Sequence, residues 1–383
     1  MHRPIYLDYN ATTPHDPEVI SAMRPYLEEH FGNPSSSHWY GMQTKNAVEN
    51  ARKQVASLLN CQPDEIVFTS GGTESNNYAI KGIAFANQAK GNHIITTQIE
   101  HPTVIEVCKF LEKHGFEVTY LPVDEFGLMS VSDVEKAFTS KTILITVMHA
   151  NNEVGTIQPI EEVAKLAKER GIIMHTDAAQ SVGKILTDVK VLGVDLLFIA
   201  DHKLYAPKGI GVLYIRQGCQ VEKFIHGAGH EQGRRAGTEN VLEIVGLGKA
   251  CEIAKRDLEK NMLHMREMRD LLHKGLAEKL DDLKLNGHPE KRLPNTLSLS
   301  FKGIDSNMLL SEIKEHVAVS AGAACHSGGF EISYVLKAMN VPREWAKGTF
   351  RFSIGRMTTK DEIQKVINII VDAITMIKTK QSK

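Results

Sequence analysis

The chain has 383 residues, of which 42% are apolar and 24% charged, with a formal net charge of -1 at pH 7. That length suggests two domains, or one large domain with a satellite, and it is enough to bury a substantial core. The near-neutral balance gives no reason to expect nucleic acid or an anionic membrane as the main partner, and no 18-residue apolar run exists to span a bilayer. The first ten residues lack the apolar core of a signal peptide, so a cytoplasmic location is expected.

From about residue 65 to 215, short β-rich segments alternate with helical patterns. The strand expectations are 66–68, 93–97, 117–122, 142–148, 172–176, 196–199 and 212–215. Several are continuous apolar runs, as in a sheet covered on both faces. Helices fit between them; 160–170, for instance, follows Pro159 and stops at Gly171. The reading is an α/β domain on a largely parallel sheet. After Gly237-Thr238-Glu239-Asn240 a long helical pattern runs to about Leu280. Beyond it a smaller α+β unit is expected, with strands at 295–301, 318–320 and 350–353, and an amphipathic tail from Lys360 to Lys378 that reads as a covering helix.

The chemistry-bearing residues fall at or just after the ends of these strands, where ligands bind in open α/β sheets. Asp177 closes one apolar strand, and Lys203, in Asp201-His202-Lys203, follows the next. A lysine for a Schiff base and a carboxylate that keeps a pyridine nitrogen protonated are what a pyridoxal 5'-phosphate (PLP) enzyme needs. Ser70-Gly71-Gly72-Thr73-Glu74-Ser75 reads either as a capped loop or as an anion cradle at a helix N-terminus. His101 is placed to stack on a pyridine ring, although alone it is an ordinary loop histidine. Asn151-Asn152-Glu153 is a turn or, functionally, a source of amides for the cofactor's phenolic oxygen and the substrate.

The five cysteines are Cys61, Cys108, Cys219, Cys251 and Cys325. Their odd number and lack of Cys-x-x-Cys spacing argue against a disulfide framework or a thiolate metal cage, and no metal site is expected. Four read as buried thiols or bystanders. Cys325 differs: the small residues of Ser320-Ala321-Gly322-Ala323-Ala324-Cys325-His326-Ser327-Gly328-Gly329 describe an accessible loop, suited to a thiol that swings in, attacks and carries something out.

Taken together, these motifs resemble the PLP-dependent cysteine desulfurases of the NifS/IscS type, in the class V aminotransferase group. The resemblance runs from Tyr6-Leu7-Asp8-Tyr9-Asn10-Ala11-Thr12-Thr13, through Phe31-Gly32-Asn33-Pro34-Ser35-Ser36 and the 69–77 stretch, to Arg351-Phe352-Ser353-Ile354-Gly355-Arg356. It implies a PLP fold-type I large domain with a mainly parallel seven-stranded sheet over 16–255. The small α+β domain would comprise 1–15 and 256–383 and carry the cysteine loop. By the same resemblance, Lys203 forms the Schiff base and moves the substrate Cα proton, Asp177 pairs with the pyridinium, and His101 stacks on the ring. Gln180 and Asn152 serve the phenolic oxygen, while Gly72, Thr73 and His202 hold the phosphate. Thr238 reaches the phosphate of a second subunit in a homodimer, Arg351 with Asn152 clamps the substrate carboxylate, and Cys325 accepts sulfur from L-cysteine as a persulfide for an acceptor or scaffold protein.

Three departures stand out. Ala200 occupies a position where the family commonly has a phosphate-binding Ser, Asp201 sits beside the phosphate site and is expected to point away, and the usual Gly-Gly-Gly-Gln-Glu reads Gly227-Ala228-Gly229-His230-Glu231. The loop around Cys325 also resembles that of selenocysteine lyases, which is the nearest alternative activity. A non-catalytic sulfur-assembly platform is a further one, and the acceptor pathway (iron–sulfur cluster assembly, tRNA thiolation or selenium metabolism) stays open.

Overall fold

The structure is a computed structural model that describes residues 3–326 and 329–381, with side chains for all of these except 323–331. Strand β1 (Ile5–Tyr6) is followed by α1 (Pro17–Glu28), capped by Asp16, whose carboxylate accepts the Glu18 N–H at 2.7 Å. Helix α2 (Trp39–Leu59) stops at Asn60, a left-handed residue with φ 58°.

The alternating region then forms β2 (Ile66–Thr69), α3 (Gly72–Ala86), β3 (His93–Thr97), α4 (Pro102–Glu112), β4 (Glu117–Leu121) and α5 (Val131–Ala137). It continues through β5 (Thr142–Thr146), α6 (Ile160–Glu169), β6 (Ile173–Asp177), α7 (Val189–Leu192), β7 (Leu196–Ala200) and β8 (Gly211–Ile215). These strands make one seven-stranded sheet in the order β2-β8-β7-β6-β5-β3-β4. Strand β8 runs antiparallel to both neighbours, and every other pairing is parallel. Side chains alternate between two apolar layers, as the two-residue strand period requires. Val67 and Ile94 join the cluster of Tyr78, Ile80 and Ile83 from α3, whereas Phe68 and Ile95 join that of Val48, Val55 and Leu59 from α2.

Helix α8 (Val241–Ala277) leaves this core and enters another. Ile244 and Leu247 pack in the first, Met268, Leu272 and Leu276 in the second. The second core lies on the antiparallel sheet of β9 (Leu283–Asn286), β10 (Thr296–Phe301), β12 (Ser320–Ala321) and β15 (Thr349–Ser353). Around it are α9 (Ser306–Ile313), β11 (Val317–Ala318), the pair β13 (Ala323–His326) and β14 (Gly329–Ile332), the short helices α10 (Tyr334–Ala338) and α11 (Arg343–Ala346), and α12 (Lys360–Gln381).

Three expectations change. The 318–320 strand is two strands: β11 pairs parallel with β1, and β12 pairs antiparallel with β15. Strands β1 and β9 appear where no periodic pattern announced them. The Cys325 segment is not a loop in its backbone: it is a two-stranded ribbon in which Cys325 registers with Phe330. Of the other cysteines, Cys108 and Cys251 are buried, Cys61 and Cys219 half-buried, and burial pushes the Cys61 and Cys219 thiols up to about 12. Bystander thiols fit that finding.

One buried pair ties α2 and β2 to the segment before α8. Arg52 donates to both carboxylate oxygens of Glu231 at 2.9 and 2.8 Å, with side chains only 4% and 3% exposed, and Glu231 also accepts the Phe68 N–H at 2.9 Å. Arg52→Met leaves that carboxylate buried and unpaired. It should cost about 3–5 kcal/mol, read as a lower urea midpoint; a cost below about 1 kcal/mol would contradict the structural weight given to the pair.

Candidate active site

The parallel strands β3, β5, β6 and β7 end at one edge of the sheet, and their following turns wall a cavity of about 380 Å³. Helix α3 presents its N-terminus at the same edge. Gly72, Thr73, His101, Asn152, Asp177, Gln180, His202, Lys203 and Arg351 all line this cavity, so nine of the anticipated residues meet in one place. Thr238 does not line it and is exposed in the segment before α8. The Cys325 side chain lies outside the described residues.

Asp177 is held on two sides. Its Oδ1 accepts the Ala179 N–H and its Oδ2 the Asn76 Nδ2–H, both at 2.9 Å. Lys203 stands at the end of the next strand, and burial lowers its amine below the ordinary 10.5, with Asp177 opposing that shift and Arg351 adding to it. The amine is thereby closer to the free base that attacks a carbonyl. His101 caps α4: its Nδ1 accepts the Thr103 N–H at 3.3 Å and lies 2.9 Å from the Thr103 hydroxyl, and burial lowers its pKa. Burial first, and then Lys203 and Lys208, drive His202 down to about 4.

The turn that opens α3 is sterically constrained. A Cβ on Gly72 would stand 2.4 Å from the Phe198 ring, and Gly71 has φ +141°. Ala200 lines the cavity where a hydroxyl was missing from the sequence. Asp201 does not line it. Its carboxylate instead accepts the Ile210 N–H at 3.2 Å and holds the turn from β7 to β8, as the expectation that it points away requires.

Arg351 crosses from β15 into this wall. It donates to the Asn152 carbonyl at 3.1 Å, to Asp8 at 2.7 Å and to the Ser320 hydroxyl at 2.9 Å. Its Nε and the Asn152 Oδ1 are buried without partners in the protein. A ligand carrying a carboxylate and a donor would satisfy both. Gln180 donates to the Asn10 carbonyl at 3.1 Å and accepts from Lys184 at 2.9 Å. The donor set, the glycine cradle and these two orphaned atoms fit a phosphorylated pyridine aldehyde beside an amino acid.

Sequence reasoning did not assign Asp8, Asn10, Asn76, Thr103 or Lys184. The first two lie in the Tyr6–Thr13 motif, which signalled a site but no role. Lys184 is fully buried, and burial holds its amine well below the usual lysine range.

The depressed amine has a readout. Reductive methylation of Lys203 in the apoprotein, followed by peptide mass spectrometry, should show a pH midpoint below 10.5. Because Asp177 favours the charged amine, Asp177→Asn should move the midpoint lower still; a rise would contradict the assigned coupling.

Residues 5–366 match the family model for aminotransferase class-V. The cysteine desulfurase IscS of Dictyoglomus turgidum is 50% identical over 380 residues, covering 99% of this chain and 96% of that one. A solved structure described as a NifS-like protein superposes with a TM-score of 0.92 at 38% identity, covering 98% of this chain and all of the other. Another, described as SspA in complex with cysteine, gives 0.82 at 37% identity over 93% of this chain and all of the other.

Proposed function

Because the chain belongs to the class-V aminotransferase family, we infer that it is a PLP-dependent cysteine desulfurase, converting L-cysteine to L-alanine and passing the sulfur to an enzyme cysteine. The observation that carries this reading is the convergence of Lys203, Asp177, His101 and Arg351 on one cavity, in a chain half identical to an IscS cysteine desulfurase. Two of the relatives reported above are named for cysteine desulfurase or NifS, the third is described in complex with cysteine, and none favours selenocysteine lyase.

When bound, PLP supplies an aldehyde for a Schiff base and a ring that takes up the electron pair released at the substrate Cα. Lys203 would hold the aldehyde and, as a free amine, would remove the substrate Cα proton. Asp177, fixed by Asn76 and Ala179, would keep the ring nitrogen protonated. His101 would hold the ring from the side of α4. Gln180, its amide oriented by Lys184, donates towards the phenolic oxygen. Gly72, Thr73 and His202 would hold the phosphate by hydrogen bonds, with the α3 dipole behind them. Arg351 and Asn152 bind the substrate carboxylate with the donors that Asp8 leaves unused.

Cys325 then acts as a nucleophile. Its thiolate attacks the substrate sulfur, an S–S bond forms, and the Cβ–S bond breaks with its electron pair left on carbon, which is protonated to the methyl group of alanine. The persulfide passes to an acceptor protein of iron–sulfur cluster assembly or tRNA thiolation. We place the enzyme in the cytoplasm as a homodimer in which Thr238 faces the phosphate of the second copy's site. No helix among the described residues is long and apolar enough to cross a membrane.

The deciding experiment follows alanine release from L-cysteine and from L-selenocysteine by the PLP-loaded protein. Turnover of L-cysteine is expected, whereas turnover of L-selenocysteine alone would move the assignment to a lyase. Lys203→Ala should lower alanine release by about 10²–10⁴-fold. Cys325→Ala should retain bound PLP and form no persulfide; undiminished persulfide would make another thiol the acceptor.

A further inference from the structure

The ribbon that carries Cys325 leaves and rejoins the fold at one point. Ser333 donates its N–H to the Gly322 carbonyl at 3.2 Å, and Gly322 donates to the Thr349 carbonyl of β15 at 2.8 Å. The departing leg is pressed close, since a Cβ on Gly322 would stand 2.9 Å from the Thr349 methyl.

The returning leg is fixed to the walls of the cavity. The Ser333 hydroxyl donates to Glu153 Oε2 at 2.5 Å, and Ser333 Oγ caps α10 by accepting the Val335 N–H at 3.1 Å. The neighbouring Tyr334 hydroxyl donates to the Glu100 carbonyl at 2.7 Å. Glu153 directly follows Asn152, and Glu100 directly precedes His101. Val335 and Leu336 of α10, with Met339 at its C-terminal end, pack on Ile99, Met148 and Val154, which flank those turns. Glu153 is itself held rigidly, its N–H donating to Asn151 Oδ1 at 2.9 Å while Asn151 donates to the Ile99 carbonyl at 3.1 Å.

No catalytic duty named above uses Glu153, Ser333 or Tyr334. We propose that the Glu153–Ser333 hydrogen bond is a latch that positions the Cys325 ribbon for sulfur transfer. Glu153 is thus a positioning residue that acts through Ser333 without touching the reacting atoms. The proposal rests on the cysteine desulfurase reading and adds to it the element that sets the reach of the nucleophile. A nucleophile carried on a two-stranded ribbon must be aimed from its foot, because a small tilt there grows along the ribbon. Misplacement of a reacting group by about 1 Å can cost up to about 10²-fold in rate. Substrate binding and removal of the Cα proton depend on Lys203, Asp177 and Arg351, so loosening the foot should spare them.

The test is a single turnover of PLP-loaded enzyme with L-cysteine, read in two ways: the first change in cofactor absorbance, and sulfur added to Cys325 by mass spectrometry. Ser333→Ala and Glu153→Ala should keep cofactor binding and the first absorbance change, yet form persulfide about tenfold more slowly. The double variant should be no slower than either single variant, since both act through one bond. Glu153→Gln keeps an acceptor for the hydroxyl and should stay within about threefold of the parent.

Persulfide formation at the parent rate in both alanine variants would overturn the latch. So would an equal loss in both readouts, which marks a merely structural role, or a Glu153→Gln as slow as Glu153→Ala, which makes charge the agent. If the parent enzyme forms no persulfide from L-cysteine, the desulfurase reading itself fails and the latch with it.

Discussion

A carboxylate and an amine that must grip opposite sides of one small ring need two strands ending at the same edge. The parallel pairing of β6 and β7, with Asp177 in register with Phe198, meets that need. Asp177 closes β6, and Lys203 follows β7 within a single turn of 3₁₀ helix. An antiparallel pair would send one of the two to the far edge. Strand β8 shows the alternative, because it runs the other way and brings only its first residue to this edge. There Gly211 lies so close to Gly71 that an added Cβ would come within 2.7 Å of the Gly71 Cα. Asp201, which bonds the Ile210 N–H, makes the reversal from β7 to β8 while keeping its carboxylate out of the cavity.

The substrate side of the cavity is assembled differently. Arg351 belongs to β15 in the second core, Asp8 follows β1, and Asn152 follows β5 in the first. The guanidinium therefore joins segments far apart in sequence, and its geometry depends on how the two cores meet. Asn10 has the same bridging role, donating to Thr296 at 2.8 Å and accepting from Asn295 at 2.9 Å and from Lys184 at 3.2 Å. In the proposed function, the cofactor side would rest on one sheet and the substrate side on the junction. Movement at the junction would change substrate binding while leaving Lys203 and Asp177 in register.

This division explains what was legible in the sequence. Most strands of the large sheet are buried runs, with the edge strand β4 part-exposed, and their bounds could be read to within a residue or two. Residues 147–148 are the instructive excess: the run stays apolar, but β5 stops at Thr146 and the Met148 N–H turns to the buried Glu100 carboxylate at 3.0 Å. Lys203, Asp177 and His101 were legible because they punctuate such runs. Asp8, Lys184 and Asn76 were not, because a polar contact between distant segments leaves no local period. The Cys325 segment read as a loop because its small residues carry no strand signal, whereas its ribbon depends on pairing with β14.

Charge balance gives the cavity its selectivity. Lys203, Lys184 and His202 are all held below their ordinary values, first by burial, with Arg351 adding to the shift of both lysines and Lys203 to those of Lys184 and His202. Each depression measures how poorly the walls solvate another positive charge. An entering phosphate and a carboxylate oppose those shifts, because a nearby anion favours the protonated amine and imidazole. The same walls penalise a cationic ligand twice, once by repulsion and once by desolvation. An anion entering beside these groups would meet the Arg351 Nε, which is buried without a partner in the protein, next to amines whose charge the walls solvate poorly.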